Sequence, residues 1–462
     1  MPISIEKIKS DYIKKHPKSL ELWKRAQKVL PGGCSRPALG KTWHVLDVPP
    51  LYVDKSQGCR IWDVDGNDYV DYWQHHALFL GHAHPAVVEA IKEYAERGAF
   101  AYDWNEIQIK LAEKVCKMVP CAEKFCSVAS GTEGNMYATR LARVHTKRDK
   151  IIRFAGNFHG HSDLYSAEWP VEGKVRPPFS DRVQSVPGIP DAMTRDIVIV
   201  PDEIEAVENA IKKHNPAGII FEAVHGSGGG GMATGSPDPL EFFKALREIT
   251  EENGVLMIAD EVITGFRLAP GGAQEYFDFV PDISVHGKNI CGSLGGSGGF
   301  AGKDEIMKHN PLQSPPEESV STGMTFAGAP MHMAAGYAAL SVIDGAGGRL
   351  NIQANRLGDR LREGLNDVFE RNEFPAQAVG TGSLCNVCFV KDPKDLPIVR
   401  PLDFQLKNDE TAGRKWRLWL RTYAGIEALS GLSMMMGVPP HTSEDIDNLI
   451  AATEEYVKKE KA

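Results

Sequence analysis

The sequence predicts an α/β protein with a mostly parallel central sheet that is covered by helices on both faces. After about residue 85, segments of helix length alternate with short runs rich in valine and isoleucine, namely KIIRF, DIVIV, AGIIFEAV, GVLMIAD and DISVHG. In EIQIKLAEKVCKMV, apolar residues recur at the spacing of one helix face, at Ile107, Leu111, Val115 and Met118. Short apolar strands separated by helices are typical of a buried parallel sheet, because each parallel connection crosses over one face.

The order of the predicted elements divides the chain into three parts. A chain of 462 residues is too long for one ordinary hydrophobic core. Residues 1–84 are predicted to hold a helical segment and a small antiparallel hairpin, since CRIWDVDGNDYVDYW alternates apolar and polar residues around turn signals. We expect residues 85–335 to form the large domain and residues 336–462 a small α+β C-terminal domain, with a strand at CNVCFV.

The composition argues against several classes of protein. With 42% hydrophobic and 24% charged residues, the chain has the composition of a soluble globular protein. The net charge of -9 and the lack of a basic stripe argue against nucleic acid as a partner. The sequence has no apolar stretch approaching the roughly 18 residues of a membrane span, and no signal-peptide core at its N-terminus. These features predict a cytoplasmic protein.

Several clusters of polar residues are interpreted as structural. Cys385 and Cys388, in SLCNVCFV, form the tightest cysteine pair, and strand alternation places them on opposite faces. A zinc site needs a second such pair or histidines at ligand spacing, so no metal site is predicted. The histidines of GHAHP and FHGHS are interpreted as turn and site-wall residues: His82, His84, His159 and His161. A solvated helix face is predicted for the cations that alternate with Trp416 and Trp419, namely Arg414, Lys415, Arg417 and Arg421.

Two residues at predicted strand ends carry the chemistry. The strand GVLMIA runs into Asp260, and the strand DISVHG runs into Lys288. Ligands of open α/β sheets gather beyond the carboxyl ends of the strands. A lysine amine can bond covalently to the aldehyde of pyridoxal 5'-phosphate (PLP), and a buried carboxylate can keep its pyridine nitrogen protonated. The pair therefore points to PLP chemistry, although either residue alone could be an ordinary turn or surface residue.

A third segment resembles an anion cradle. Ser130, Gly131 and Thr132 follow the apolar run FCSVA and open a predicted helix. Backbone N–H groups and hydroxyls at the positive end of a helix dipole can surround a phosphate. Taken alone, such a segment before a helix is more often only an N-cap than a phosphate site. The order of the three segments along the chain is more specific than any one of them.

These segments resemble the class III (omega) aminotransferases, which are PLP enzymes of fold type I, and the pattern is nearest to the glutamate-1-semialdehyde aminomutase branch. The resemblance covers nearly the whole chain and includes the motifs GCRIWDVDGNDYVDY, LGHAHP, ASGTEGN, RFAGNFHGHSD, IIFEAV, ADEVITGFR, HGKNICGSLGGSGGFAGK and MTFAGAPMHMAAG. It implies a PLP fold type I structure. It also implies a homodimer with shared active sites.

The resemblance implies roles for further residues around the cofactor. Ser130 to Thr132 correspond to the phosphate site, and Phe158 to the aromatic ring that stacks on the pyridine. Glu222 corresponds to an acidic residue near the cofactor hydroxyl, and Val262 to an aliphatic residue on the other ring face. Thr325 corresponds to a threonine that reaches the phosphate bound by the partner subunit.

The resemblance is less specific about the substrate. PGGCSRP matches an N-terminal loop that carries an arginine for the substrate acid in related enzymes, so Arg36 is the candidate, with a surface arginine as the alternative. His75 and His76, in WQHHALFLGH, stand where the aminomutase branch has a differently composed segment, and we expect them at the substrate. Ala129 and Ala223 also depart from the family, which often has Asn and Pro there.

The expected function is PLP-dependent transfer of an amino group between an acidic amine or amino acid and a keto acid or aldehyde. Lys288 and Asp260 are the predicted catalytic residues. The alternatives are an aminomutase or an ammonia-lyase acting on an amino acid or aminophosphonate. A non-enzymatic PLP-binding regulator would normally carry a DNA-binding segment, and no stretch of the sequence is left over for one.

Overall fold

The computed structural model describes residues 2–35, 43–98, 104–168, 184–185, 187–226, 228–292, 294–428, 434–438 and 440–462. The α-helices in these ranges are α1 (Ile5–Lys15), α2 (Pro17–Ala26), α3 (Pro85–Glu96), α4 (Glu106–Met118), α5 (Gly131–Thr146), α6 (Asp191–Thr194), α7 (Ile204–His214), α8 (Pro239–Glu252), α9 (Ala273–Tyr276), α10 (Asp304–Met307), α11 (Pro330–Gly345), α12 (Arg349–Arg371), α13 (Pro401–Lys407), α14 (Glu410–Trp419) and α15 (Ser443–Lys461). The strands are β1 (Val53–Gln57), β2 (Arg60–Asp63), β3 (Asp68–Asp71), β4 (Lys124–Val128), β5 (Ile151–Phe154), β6 (Ala167–Glu168), β7 (Gln184–Ser185), β8 (Ile197–Val200), β9 (Gly218–Glu222), β10 (Leu256–Glu261), β11 (Ile283–His286), β12 (Gly298–Gly302), β13 (Ala376–Val379), β14 (Leu384–Phe389), β15 (Ile426–Glu427) and β16 (Met434–Met435).

The central sheet has seven strands in the order β4-β12-β11-β10-β9-β5-β8. Its strands run parallel except β12, which pairs antiparallel with both β11 and β4. The five runs rich in valine and isoleucine form β5, β8, β9, β10 and β11. The predicted α/β fold with a mostly parallel sheet is therefore confirmed.

Helices cover this sheet on both faces, which explains why its central strands are mostly apolar. On β9, Ile219 lies in an apolar cluster with Val207 of α7 and Phe243 of α8. The next residue, Ile220, lies in a second cluster with Tyr137 of α5. Because successive side chains of a strand point to opposite faces, a strand that is buried on both sides is apolar at most positions.

The two ends of the chain meet in a second sheet. The predicted hairpin is present, since β2 and β3 pair antiparallel, and β1 extends it. On the other edge, β15 pairs parallel with β3, so residues near the C-terminus complete a sheet that begins near the N-terminus. Both ends contribute to one large apolar cluster, which includes Tyr12, Tyr72 and Trp419. The domain boundaries at residues 84 and 335 stay a prediction.

The C-terminal part contains the predicted strand at CNVCFV. This strand, β14, lies between β13 and β16 in a three-stranded sheet. Cys385 and Cys388 are both fully buried on it and belong to different apolar clusters, as strand alternation requires. Within the described ranges, the search for a helix long and apolar enough to cross a membrane found none.

The solvated helix face predicted around Trp416 is wrong for two of its cations. Arg417 and Arg421 are only 7% and 5% exposed. Arg421 forms an ion pair with Glu427 and lies 3.9 Å above the Trp43 ring. Beyond Trp419 the helix widens into a turn of π type over Leu420–Ala424. This change of helical geometry shifts the side chains that follow relative to a regular helix face.

The buried pair gives a prediction about stability. Arg421→Met leaves the Glu427 carboxylate buried without its cation, and we expect a loss of about 3 to 5 kcal/mol in the free energy of unfolding. The double variant Arg421→Met/Glu427→Leu should recover most of this loss, because it removes both charges. Urea unfolding of the three proteins measures the effect.

The chain offers a matched control for this comparison. Arg360 and Asp447 form an ion pair at 2.8 Å, but both side chains are about half exposed. Arg360→Met should cost about 1 kcal/mol or less, because water screens an exposed pair. Equal losses for Arg360→Met and Arg421→Met would contradict the proposed role of the buried pair.

Candidate active site

A cavity of about 530 Å³ lies at the carboxyl ends of β9, β10 and β11. All the residues predicted to bind the cofactor line it except Thr325, namely Ser130, Gly131, Thr132, Phe158, Glu222, Asp260, Val262 and Lys288. Distant parts of the sequence are thus brought together at one edge of the sheet, as the carboxyl-end rule predicts.

The register of the parallel strands explains this convergence. Asp260, near the end of β10, pairs with Glu222 at the end of β9 and with Val285 on β11. Lys288 follows β11 after a short turn. Because carboxyl ends of parallel strands meet at the same edge, two carboxyl groups and one amine share the cavity floor.

Asp260 is buried, with three hydrogen-bond donors around its carboxylate. Its Oδ2 accepts from Asn135 Nδ2 at 2.7 Å and from His159 Nδ1 at 2.8 Å. Its Oδ1 accepts from the backbone N–H of Val262 at 3.1 Å. Donors of this kind stabilise the ionised form of a buried carboxylate. The carboxylate is thereby suited to hold the protonated pyridine nitrogen of PLP.

Two of these donors were not predicted as cofactor-site residues. Asn135 lies one helical turn after Gly131, so both residues share a face of α5. His159 was assigned only to the site wall, although it directly follows Phe158. Burial lowers the pKa of His159, while Asp260 acts in the opposite direction, and the ring donates to the carboxylate through Nδ1. The helical spacing from Gly131 was the signal that could have identified Asn135.

Lys288 emerges from β11 in a left-handed backbone conformation, with φ of 51°. Such a conformation is uncommon for a residue other than glycine and is concentrated at functional sites. Burial lowers the pKa of the Lys288 amine, whereas the nearby Asp260 and Glu222 raise it. A lowered pKa leaves more of the amine neutral, which is the form that attacks a carbonyl carbon.

The predicted phosphate cradle is also a helix cap. Ser130 Oγ accepts a hydrogen bond from the N–H of Glu133 at 3.3 Å, and the Glu133 carboxylate accepts from the N–H of Ala129 at 2.8 Å. Both hydrogen bonds cap the N-terminus of α5, where Ser130 is the N-cap residue. The two interpretations are compatible, because Ser130 and Gly131 line the cavity as well. The positive end of the α5 dipole therefore faces the cavity.

Glycines bring bare backbone to the edge of this cradle. A Cβ atom at Gly131 would lie 2.5 Å from Val262 Cγ2, and one at Gly160 would lie 2.3 Å from Thr132 Oγ1. Side chains at either position would clash with the walls of the site. Backbone N–H groups, a hydroxyl and a helix terminus in one concavity fit a phosphate group. This end of the cavity thus suits the PLP phosphate.

Glu222 differs from Asp260 although both are buried carboxyl groups. Burial and the neighbouring Asp260 raise the pKa of Glu222 to about 8, and the Phe158 N–H, which donates to Oε2 at 2.8 Å, acts against this shift. Glu222 is therefore protonated near neutral pH. A protonated carboxyl can donate a hydrogen bond, so its position fits the role implied for it at the cofactor hydroxyl.

The remaining cofactor residues are the aromatic and aliphatic ones. Phe158 and Val262 both line the cavity. Phe158 is 43% exposed, which leaves a ring surface open to a ligand. Their stacking roles on the two ring faces stay a prediction.

The structure does not bring Thr325 to this cavity. Thr325 is exposed and is not among the cavity-lining residues. This position leaves open the implied role at the phosphate of another subunit, which stays a prediction. Arg36 falls outside the described residues.

The histidines predicted at the substrate lie in the turn Gln74–His76. His76 is 4% exposed, has a left-handed backbone with φ of 61°, and is not among the residues that line the cavity. The substrate role of His76 stays a prediction. The side chain of His75 lies outside the described part of the structure. From this segment, the cavity is lined by Ala77, Leu78 and His82.

The raised pKa of Glu222 gives a prediction for the cofactor-free protein. The pKa of this carboxyl rises from 4.5 in the unfolded chain to about 8 in the folded protein. Its proton therefore stabilises the folded state fully below pH 4.5, and this stabilisation is lost as the pH rises through the folded pKa. Glu222→Gln does not titrate. Its free energy of unfolding should therefore rise relative to the natural protein between pH 5 and pH 8, by a few kcal/mol at roughly 1.4 kcal/mol per pKa unit.

Urea unfolding of both apoproteins at three pH values across this range measures the trend. A difference between the two proteins that stays constant with pH would show that Glu222 is already ionised in the folded state.

The chain was compared with known families and curated proteins. Residues 44–405 match the family described as aminotransferase class-III. The glutamate-1-semialdehyde 2,1-aminomutase of Sulfurihydrogenibium sp. is 38% identical over 382 residues, which cover 80% of this chain and 83% of that protein. The glutamate-1-semialdehyde 2,1-aminomutase 2 of Brevibacillus brevis is 35% identical over 450 residues, covering 96% and 98% of the two chains.

Solved structures match over the same extent. An omega-transaminase from Sphaerobacter thermophilus has a TM-score of 0.85 at 27% identity, covering 97% of this chain and 100% of that chain. A β-phenylalanine aminotransferase from Variovorax paradoxus has a TM-score of 0.82 at 26% identity, covering 98% of each. A transaminase with PLP bound has a TM-score of 0.80 at 25% identity, covering 96% and 98%. PLP is thus confirmed as the cofactor, and this chain belongs to the class III aminotransferase family.

Proposed function

We propose that this enzyme moves an amino group on a small substrate that carries an acidic group, with Lys288 and Asp260 as its catalytic residues. The observation that carries the proposal is the shared cavity floor. Three neighbouring strands bring Glu222, Asp260 and Lys288 together there, beside a helix N-terminus suited to a phosphate.

The three residues have different roles because their environments differ. Bound PLP supplies an electron sink for the carbon that loses its proton. The ionised Asp260 keeps the pyridine nitrogen protonated and so maintains that sink. Lys288 holds the cofactor covalently, and its released Nζ takes up the proton from the substrate carbon. Glu222, as a neutral acid, would donate a hydrogen bond to the cofactor hydroxyl.

The substrate acid needs a cation that the described cavity does not supply. Among the described residues that line the cavity, Lys288 is the only lysine or arginine. Its amine is committed to the cofactor. We therefore propose Arg36 for the substrate acid, since its guanidinium can bind a carboxylate or a phosphonate through two hydrogen bonds.

We also propose a homodimer with shared sites. Thr325 is exposed and does not line the cavity of its own chain, as expected for a residue that serves another subunit. Cofactor binding and dimer stability should then favour each other, because a ligand that binds only the dimer shifts the equilibrium toward it.

Two outcomes of amino transfer are supported by different observations. The curated relatives named above are aminomutases, and the longer alignment covers 96% of this chain, which favours transfer within one molecule. Transfer within one molecule is the alternative that the sequence predicts. Transfer between two molecules is the second candidate, because the omega-transaminase structure matches with a TM-score of 0.85 over 97% of this chain.

The requirement for a second substrate distinguishes these outcomes. Holoenzyme mixed with glutamate-1-semialdehyde and no keto acid should convert many equivalents to the isomer with the amino group on the neighbouring carbon. A transaminase would stop after about one equivalent per site until a keto acid is added. A lyase would release free ammonia. Lys288→Ala is the control and should be inactive in each case.

Conversion of the semialdehyde without movement of its amino group would contradict the proposal. Activity of Lys288→Ala equal to that of the natural enzyme would contradict it as well. Chromatographic analysis of the semialdehyde, its isomer and ammonia over time gives all three readouts in one experiment.

A further inference from the structure

One titratable residue on the cavity wall has no role in the scheme above. His82 lines the same cavity as Lys288, and its side chain is 15% exposed. Its Nε2 lies 2.7 Å from Asp71 Oδ2. The other ring nitrogen, Nδ1, has no hydrogen-bond partner among the described residues.

Asp71 is placed to fix the orientation of the ring. Its side chain is 4% exposed, and its Oδ1 accepts hydrogen bonds from the N–H groups of Trp73 and Gln74, each at 3.0 Å. The other oxygen, Oδ2, is therefore available to accept a hydrogen bond from His82. A buried carboxylate accepts hydrogen bonds, so His82 Nε2 is placed as the donor to Asp71, and Nδ1 of the neutral imidazole is then an acceptor.

The backbone of His82 is held as firmly as its ring. Its N–H donates to Gly58 O at 2.8 Å, and its carbonyl accepts from Gly58 N at 2.9 Å. Gly81 before it has φ of 82°, and a Cβ there would lie 2.8 Å from Gly58 O. Between His82 and the turn at Gln74, Phe79 donates its N–H to Asn289 Oδ1 at 3.3 Å, which ties this loop to the residue after Lys288.

We propose that His82 is a substrate-binding residue whose Nδ1 accepts a hydrogen bond from an N–H or O–H group of the substrate other than the reacting amine. This inference rests on the proposed function, because it needs an amine substrate in the cavity. A ring held by a buried carboxylate and by two backbone hydrogen bonds presents its free nitrogen in one fixed direction. The other described wall residues from this loop, Ala77 and Leu78, have no polar side chain.

An acidic amine that carries a second donor group therefore tests this contact. Two probes differ only in that donor: 4,5-diaminopentanoate carries a second amine, and 5-aminopentanoate does not. The natural holoenzyme should react with the diamine about tenfold more efficiently, as one well-placed hydrogen bond allows. The half-reaction of each probe is followed by the loss of the cofactor's absorbance in single turnover.

Two substitutions of His82 separate binding from structural support. In His82→Gln, the side-chain amide can keep the contact with Asp71 but has no acceptor at the Nδ1 position. This variant should therefore react with the two probes about equally well. In His82→Asn, the amide reaches the Nδ1 position but not Asp71, so a residual preference should remain. Asp71→Asn should also abolish the preference, because an amide donor at Nε2 moves the ring proton to Nδ1.

The results with these variants distinguish the role of His82 from the proposed function. Equal reaction of both probes in the natural enzyme, or an unchanged preference in His82→Gln, would overturn the role of His82 and leave the proposed function standing. Loss of activity on both probes alike in His82→Asn, with His82→Gln unaffected, would show that His82 only supports the loop. Failure of the natural enzyme to react with either probe would contradict the proposed function itself.

Discussion

The site depends on keeping one carboxylate ionised inside the protein. An unpaired buried charge costs several kcal/mol, and this cost falls only when hydrogen bonds replace water. Asp260 receives its donors from three parts of the chain: Asn135 on α5, His159 after β5, and the backbone of Val262. Asn135 also donates to the carbonyl of His159 at 3.2 Å. The helix that suits the phosphate is thus tied to the carboxylate that suits the pyridine nitrogen.

The same edge of the sheet holds two buried carboxyl groups in different environments. Asp260 and Glu222 are partners in the register of neighbouring parallel strands, so two negative charges there would repel each other. The several donors around Asp260 favour its charged form, whereas burial beside that charge raises the pKa of Glu222 to about 8. Separation of roles between two nearby acids by their environments is a recurring feature of enzyme sites. One acid can then act as a permanent charge and the other as a hydrogen-bond donor.

Sequence reasoning predicted the residues whose positions follow from strand geometry. Asp260 and Lys288 were identifiable because they directly follow apolar runs, and parallel strands bring their ends together. It was less informative where a side chain's position depends on irregular backbone. His76, in a left-handed turn, is not among the residues that line the cavity, while His82 in the same segment is. The burial of Arg421 depends on a π-type turn and on the pairing of β15 with β3, which joins distant parts of the chain. Neither feature leaves a periodic signal in the sequence.

The central claim is that Lys288 holds the cofactor at this edge of the sheet. Reduction of the holoenzyme with borohydride fixes the cofactor to the lysine that carries it, and peptide mapping then identifies that lysine. The label is predicted on Lys288, in the segment HGKNIC. Labelling of any other lysine, with Lys288 unmodified, would contradict the account.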